Sequence, residues 1–201
     1  MRTISAIAAA ALVAFSTASH AGKIHLFGTH ASKPHARAGA RLQPQPQPPP
    51  YRWTQGAAPK AQRDMVATFG KVGLAPGKFL VADKIPAEGE TRVVIDLPTQ
   101  MAYVYRADQL VGASTISTAR RGMVTPLGFW SVLEKRRLYR SKKYENAPMP
   151  WMQRIDSYGI ALHGGGTPGY PESHGCIHLP TKFAEKLYGL TKVGSKVVIE
   201  G

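Results

Sequence analysis

The sequence predicts a mostly β domain with one helix near its C-terminal end. From residue 78 onward, short runs of β-branched and aromatic side chains alternate with turn residues, which is typical of an antiparallel meander. Near residues 180–188 the apolar residues instead recur at helical spacing. Hydrophobic residues make up 43% of the chain and charged residues 19%, so the composition is that of a globular protein.

Short apolar runs mark the expected strands. They lie at 79–81, 92–97, 101–106, 110–118, 129–133, 159–162 and 195–199. Turn residues separate these runs, and His163 directly follows the strand at 159–162. The helix at 180–188 is supported by Phe183 and Leu187, which lie one helical turn apart, and by a glycine that follows as a stop signal.

The N-terminal end has the layout of a secretory signal peptide. Arg2 gives a short positive start, the run from Ile4 to Phe15 is apolar and alanine-rich, and small residues up to Ala21 offer a cleavage site. The apolar run is shorter than the roughly 20 residues that span a bilayer. Residues 1–21 are therefore predicted to be removed on export, and we expect an exported protein without a stable membrane anchor.

Two further segments follow the predicted signal peptide. Residues 22–75 lack a sustained strand or helix period and include a Pro/Gln-rich stretch, so they are predicted to form a basic, largely disordered spacer with at most a weak helix near 61–69. Residues 76–201 are predicted to form the folded domain. The formal net charge of +14 favours polyanionic partners, which include nucleic acid, anionic lipid headgroups and an acidic wall polymer.

The single cysteine, Cys176, lies in a polar segment between His174 and His178, and His163 stands upstream at a strand end. One cysteine excludes an intramolecular disulfide framework. A free thiol in an oxidising compartment is exposed to oxidation, so its retention indicates that its chemistry is used. Nucleophilic catalysis needs the thiolate, and either His163 or His174 is a candidate to accept the thiol proton.

Zinc binding is the competing chemistry for these side chains. His163, His174, Cys176 and His178 offer four ligands, but their spacing matches none of the usual zinc patterns. A thiol mechanism without metal or other cofactor is therefore the expectation.

Together, His163-Gly164 and the Ser-His-Gly-Cys motif (173–176) resemble the signature of the L,D-transpeptidase catalytic domain, the YkuD-type family. Residues 125–129, Thr-Pro-Leu-Gly-Phe, resemble the strand–turn element that precedes the active site in that family. Residues 149–152, Met-Pro-Trp-Met, resemble its substrate-facing loop. The resemblance covers about residues 90–200.

The resemblance implies a β-sandwich or barrel-like fold with a helix after the catalytic cysteine. It also implies that residues 76–201 form a catalytic domain that acts on peptidoglycan stem peptides, on the periplasmic or cell-wall side of the envelope. Cys176 would attack the donor tetrapeptide, D-alanine would leave, and an acceptor amine would resolve the thioester. His163 would be the proton donor and acceptor, oriented by the backbone carbonyl of Gly164. Backbone N–H groups near Gly175 and Cys176 would stabilise the tetrahedral intermediate.

Further residues are expected to bind substrate or support the site: Ser173, His174, Gly175, His178, Met149 and Trp151. His178 is a departure, because the family often has Arg or Asn at that position, and histidine lacks the fixed charge of arginine. Six basic residues between 135 and 143 are expected to attract stem-peptide carboxylates or anionic wall polymers.

The acceptor is not specified by the sequence. It is an amine of a second stem peptide or of an envelope protein, which gives cross-linking or protein attachment. Hydrolysis on the same scaffold, as a carboxypeptidase or endopeptidase, is an alternative, and a non-catalytic wall-binding module is another. No nucleic-acid partner is expected.

Overall fold

The computed structural model describes residues 53–201; the predicted signal peptide and residues 22–52 of the predicted spacer lie outside the described residues. Two helices and ten strands form within residues 53–201. They are α1 (Ala57–Phe69), β1 (Phe79–Val81), β2 (Thr91–Asp96), β3 (Met101–Arg106), β4 (Gln109–Thr115), β5 (Gly128–Ser131), β6 (Glu134–Arg136), β7 (Met152–Arg154), β8 (Ala161–Gly164), β9 (Ile177–Leu179), α2 (Thr181–Leu190) and β10 (Lys196–Glu200). The predicted mostly β class is confirmed, and α2 follows the cysteine as expected.

The larger sheet has six strands in the order β1-β4-β3-β2-β10-β5. Its centre is the expected antiparallel meander of β2, β3 and β4. The last strand, β10, inserts beside β2 and runs parallel to it, with Val197 opposite Val93. The central strands β2 and β3 are buried on both faces, which explains their nearly continuous apolar sequences.

The smaller sheet has the order β6-β7-β8-β9, and the sequence predicts it only in part. The strands β6, β7 and β9 are three residues long, too short for an alternation of apolar and polar residues to identify them. The pair β8 and β9 is parallel, with Leu162 opposite Ile177 and His163 opposite His178. This pairing brings two segments of the predicted site together.

The main hydrophobic core lies where the inner face of the larger sheet meets α2 and the strands β8 and β9. Val93 of β2 and Val197 of β10 share this core with Leu162, Ile177 and Phe183, and all five side chains are almost completely buried. The core therefore holds β8 and β9, and with them the candidate site, against the larger sheet.

Helix α1 covers the opposite face of the larger sheet. Ala58, Ala61 and Met65 are buried against aromatic and aliphatic side chains of β2, β3 and β4. Residues 53–75, assigned to the spacer by the sequence, are therefore part of the folded domain. The sequence indicates only a weak helix here because the buried residues of α1 are mostly alanines, whose small side chains give a faint helical pattern. No helix within residues 53–201 is long and apolar enough to cross a membrane.

The N-terminus of α1 is capped by a side chain from the other end of the domain. The Glu200 carboxylate accepts hydrogen bonds from the backbone N–H groups of Gln55 (2.6 Å), Ala57 (3.1 Å) and Ala58 (2.7 Å), and from Thr54 Oγ1 (3.0 Å). Burial alone would raise the pKa of Glu200, but these donors outweigh it and lower the pKa. A negative charge at this position also complements the helix dipole.

We expect Glu200→Gln to destabilise the domain by about 2 kcal/mol at neutral pH, because charge-assisted hydrogen bonds to the first turn of α1 are lost. The carboxyl pKa is lower in the folded state, so this stabilisation is present above the unfolded pKa and disappears as the pH falls through the folded pKa. Urea unfolding at several pH values measures it. Glu185→Gln, on the exposed face of α2, is the control, and equal losses in both variants would contradict the capping role.

Candidate active site

The parallel pairing of β8 and β9 places His163 and His178 side by side, with ring centroids 4.8 Å apart. Cys176 directly precedes β9 and lies two residues before His178, so extended backbone puts both side chains on one face. All three residues line one cavity of about 1110 Å³. His174 lines the same cavity, so the structure brings together the cysteine and all three histidines that the sequence singled out.

Three segments form the walls of this cavity. One is the segment 139–149, which we call the 139–149 loop; another is 157–160; the third is the glycine run 164–166 that follows His163. Within the 139–149 loop, backbone hydrogen bonds join Ser141 to Ala147 and Met149 to Tyr139, so the loop has a defined shape.

His163 is 6% exposed, and its Nδ1 lies 2.9 Å from the backbone oxygen of Gly164. A carbonyl oxygen only accepts, so Nδ1 carries the proton and Nε2 has a free lone pair. Burial, together with the charge of His178, lowers the pKa of His163 to about 4, although the bond to Gly164 opposes both. His163 is therefore a neutral imidazole near pH 7, in the tautomer that a general base requires.

Cys176 is half-buried, and its Sγ lies 3.7 Å from the backbone oxygen of Gly159. Burial raises the pKa of the Cys176 thiol; the Ala161 backbone N–H and the Lys143 charge oppose this rise, whereas the Asp156 charge adds to it. Thiol and imidazole are thus both neutral at rest. Among the hydrogen bonds described for residues 53–201, none joins Cys176 to His163.

The Ser-His-Gly-Cys motif forms a tight turn held by two buried hydroxyl groups. Ser173 Oγ donates to the Cys176 carbonyl at 2.6 Å and accepts from the Gly175 N–H at 3.0 Å. Thr125 Oγ1 donates to the Gly175 carbonyl at 2.8 Å and accepts from the Ala119 N–H at 3.0 Å. Because the Gly175 N–H is already bonded to Ser173, it is not free to bind an oxyanion in this arrangement.

Asp156 is a supporting residue that the sequence analysis missed. It is 6% exposed, and its Oδ1 accepts hydrogen bonds from the N–H groups of Tyr158, Gly159 and Ile160 at 2.7–3.0 Å. These bonds shape the loop whose Gly159 carbonyl contacts the cysteine. The signal was present in the sequence as Asp-Ser-Tyr-Gly, a combination that favours an Asx turn.

His174 is exposed and directed toward two loops. Its ring stacks on Tyr144 with centroids 4.3 Å apart, and its Nε2 lies 2.8 Å from Arg120 Nη2. A guanidinium only donates, so His174 Nε2 is the acceptor in this contact. These contacts connect the Ser-His-Gly-Cys motif to the 139–149 loop.

Of the two residues in the Met-Pro-Trp-Met segment that were expected to face substrate, only one lines the cavity. Met149 is 7% exposed and lines the cavity. Trp151 lies outside the cavity lining, where it packs on Tyr188 with centroids 5.5 Å apart and beneath Arg137 at 5.0 Å. In an extended segment, residues 149 and 151 would point to the same side. The backbone at Trp151 has φ of 60°, which is not extended, so the two side chains diverge.

The basic residues between 135 and 143 also differ in their positions relative to the cavity. Lys135 Nζ donates to the carbonyls of Tyr188 and Thr191 at the end of α2, so it has a structural role. Lys142 and Lys143 line the cavity, and Lys143 Nζ donates to the Tyr158 carbonyl at 2.7 Å. Within residues 53–201, no group of three or more His, Cys, Asp or Glu side chains is placed to bind a metal ion.

Comparison with known protein families shows which family the chain belongs to. The sequence model of the L,D-transpeptidase catalytic domain, YkuD, matches residues 90–199, more than half of the chain. The chain belongs to the YkuD family of L,D-transpeptidase catalytic domains. The matched range contains every strand from β2 to β9 and the whole candidate site. No curated protein sequence matches the chain.

Solved L,D-transpeptidase structures share the fold. An L,D-transpeptidase from Stackebrandtia nassauensis is 26% identical with a TM-score of 0.53, over 69% of this chain and 65% of that one. One from Mycobacterium tuberculosis H37Rv is 22% identical with a TM-score of 0.53, over 55% and 57%. One from Mycobacterium smegmatis is 19% identical with a TM-score of 0.52, over 56% and 59%. This chain therefore covers less than two thirds of each of these proteins.

The turn at Gly175 gives a first test of the site in this L,D-transpeptidase domain. Gly175 has φ of 134°, and an added Cβ would lie 2.6 Å from Ile160 Cδ1 and 2.9 Å from the Val124 oxygen. We expect Gly175→Ala to lower the free energy of unfolding by about 1–3 kcal/mol more than Gly122→Ala. Gly122 also has positive φ but has open space around it. Urea unfolding compares the two variants, and equal losses would show that the packing around Gly175 is unimportant.

The neutral resting thiol predicts the pH dependence of Cys176 alkylation. Because its pKa is raised, the rate with iodoacetamide should increase with pH through a midpoint above the usual thiol value of about 8.5. Lys143→Gln should move the midpoint still higher, because a charge that favours the thiolate is lost. Lys142→Gln, the neighbouring cavity lysine, is the matched control. A wild-type midpoint below the usual thiol value would contradict the neutral resting state.

Proposed function

We propose that this domain is a peptidoglycan L,D-transpeptidase in which Cys176 is the nucleophile and His163 is the proton donor and acceptor. The observation that carries the proposal is the shared cavity: Cys176 and His163 line it together, and Gly164 leaves His163 Nε2 free to accept a proton. Members of the family act on peptidoglycan stem peptides. A cavity of about 1110 Å³ with two lysines in its wall suits an extended peptide that carries carboxylates.

The first half of the reaction forms a thioester. Cys176 turns from the Gly159 carbonyl toward His163, which takes the thiol proton on Nε2 while sulfur attacks the carbonyl carbon of the third residue in a tetrapeptide stem. The bond from that carbon to the nitrogen of D-alanine then breaks. The imidazolium of His163 returns its proton to the departing amine.

The second half of the reaction resolves the thioester. An acceptor amine attacks the thioester carbon, His163 removes a proton from the attacking nitrogen, and the Cys176 thiol is regenerated. The acceptor belongs to a second stem peptide or to an envelope protein. Of the two backbone N–H groups expected to stabilise the tetrahedral oxyanion, only that of Cys176 stays in this proposal, because the Gly175 N–H is bonded to Ser173.

The remaining roles follow from the contacts. Ser173 and Gly175 shape the cysteine turn, and Met149 contributes apolar cavity surface for substrate. His174 acts as a connector to the 139–149 loop, since both its ring face and its Nε2 are occupied by other side chains. From the sequence, we also propose export through cleavage after residue 21 and a location on the wall side of the envelope.

Muropeptide analysis tests the proposed reaction. Purified protein incubated with tetrapeptide muropeptides should give cross-linked dimers by mass spectrometry, and Cys176→Ala should give none while it unfolds at the same urea concentration as the wild type. Trimmed monomers would instead indicate hydrolysis, and no change with wild-type protein would support a binding module. Activity in well-folded Cys176→Ala would refute the nucleophile assignment.

The two histidines near the cysteine should differ in single-turnover acylation. His163→Ala should slow acylation by about 10²–10⁴-fold and flatten its pH dependence, because the proton acceptor is lost. His174→Ala should have a smaller effect on the chemical step. The reverse pattern would assign the base to His174.

A further inference from the structure

Two neighbouring imidazole rings in the cavity are in different electrostatic surroundings. His163 and His178 lie with ring centroids 4.8 Å apart, and their side chains are largely removed from solvent. Like charges this close in a poorly solvated site repel each other, so the pair binds a second proton only at much lower pH than the first. Which ring takes the first proton decides whether His163 is free to act as a base.

Among the described residues, a carboxylate adjoins only one of the two rings. Glu172 Oε1 lies 3.7 Å from His178 Nδ1, a buried atom that has no hydrogen-bond partner in this part of the chain. The backbone of Glu172 is fixed by its N–H, which donates to Ser117 Oγ at 3.0 Å. The corresponding nitrogen of His163 is instead bonded to the neutral carbonyl of Gly164.

The glycine run after His163 makes room for this carboxylate–imidazole pair. A Cβ at Gly165 would lie 3.0 Å from His178 Cγ, and one at Gly166 would lie 2.7 Å from Glu172 Oε1. Side chains at these positions would therefore push against His178 and Glu172. The absence of side chains at Gly165 and Gly166 therefore leaves the space that His178 and Glu172 occupy.

The charges that act on the two rings come from the adjoining segments. The pKa of His178 is lowered overall, because burial outweighs Glu172 and the Gly166 backbone, which raise it; His174 in the cysteine turn adds to the lowering. The charge that acts on His163 is that of His178, which adds to the effect of burial on its pKa. Lys143 and Asp156, the charged groups of the other adjoining segments, act on the pKa of Cys176.

We propose that Glu172 and His178 are positioning residues that draw the first proton of the histidine pair onto His178 and so leave His163 unprotonated in mildly acidic conditions. The carboxylate stabilises a charged His178, and a charged His178 in turn disfavours a proton on His163. His163 thereby remains able to accept the Cys176 proton at a lower pH than a lone histidine in the same place. The catalytic consequence rests on the proposed function, whereas the proton placement does not.

Titration of the two histidines by NMR tests the placement without any substrate. In the wild type, His178 should titrate at higher pH than His163. Glu172→Gln should lower the midpoint of His178 and raise that of His163 by about one pH unit, because His178 is then neutral when His163 binds its proton. His178→Asn should also raise the His163 midpoint. Glu145→Gln, a carboxylate that lines the same cavity from the 139–149 loop, should change neither midpoint.

The pH profile of single-turnover acylation tests the catalytic consequence. Its acidic limb should move to higher pH in Glu172→Gln and in His178→Asn but not in Glu145→Gln. Unchanged histidine midpoints in both variants would overturn the proposal, even if the wild type is an active transpeptidase. Shifted midpoints in a protein that acylates no muropeptide would support the proton placement and count against the proposed function alone.

Discussion

The parallel pairing of β8 and β9 is the constraint on which the candidate site depends. It sets the position of His163 relative to His178, and through the turn that precedes β9 it sets the position of Cys176. The pairing is reinforced from outside the small sheet, because the backbone of Ser117 exchanges two hydrogen bonds with that of His178. Apolar side chains of both strands are buried in the main core, so the face that lines the cavity is fixed by packing on its reverse side.

Burial of the site sets its resting electrostatic state. Removal from solvent disfavours the charged form of both the thiol and the imidazole, so Cys176 and His163 are neutral before a substrate binds. In the proposed reaction, charge separation then occurs together with attack on the carbonyl. A neutral thiol is also less readily oxidised than a thiolate, which suits the wall-side location proposed for this lone cysteine.

The sequence predicts the meander well, because β2, β3 and β4 are long enough to show their apolar and aromatic patterns. It singles out Cys176 because this is the single cysteine of the sequence, and the family resemblance then selects His163 over His174 as the proton acceptor. It misses Thr125 as a support of the cysteine turn, since that role is a hydrogen bond made across the fold. It underestimates α1 for a similar reason: the cap of this helix, Glu200, lies 142 residues from Ala58.

The contacts at the start of the described chain determine how a pull on the N-terminal side would reach the domain. Trp53 and Gly201 exchange two backbone hydrogen bonds, and Glu200 binds the first turn of α1. Tension applied through the residues before Trp53 therefore enters at the end of β10, a strand inside the six-stranded sheet. The four-stranded sheet, which carries His163 and His178, is not the sheet that receives this pull, so the point where the force enters and the candidate site are on separate sheets.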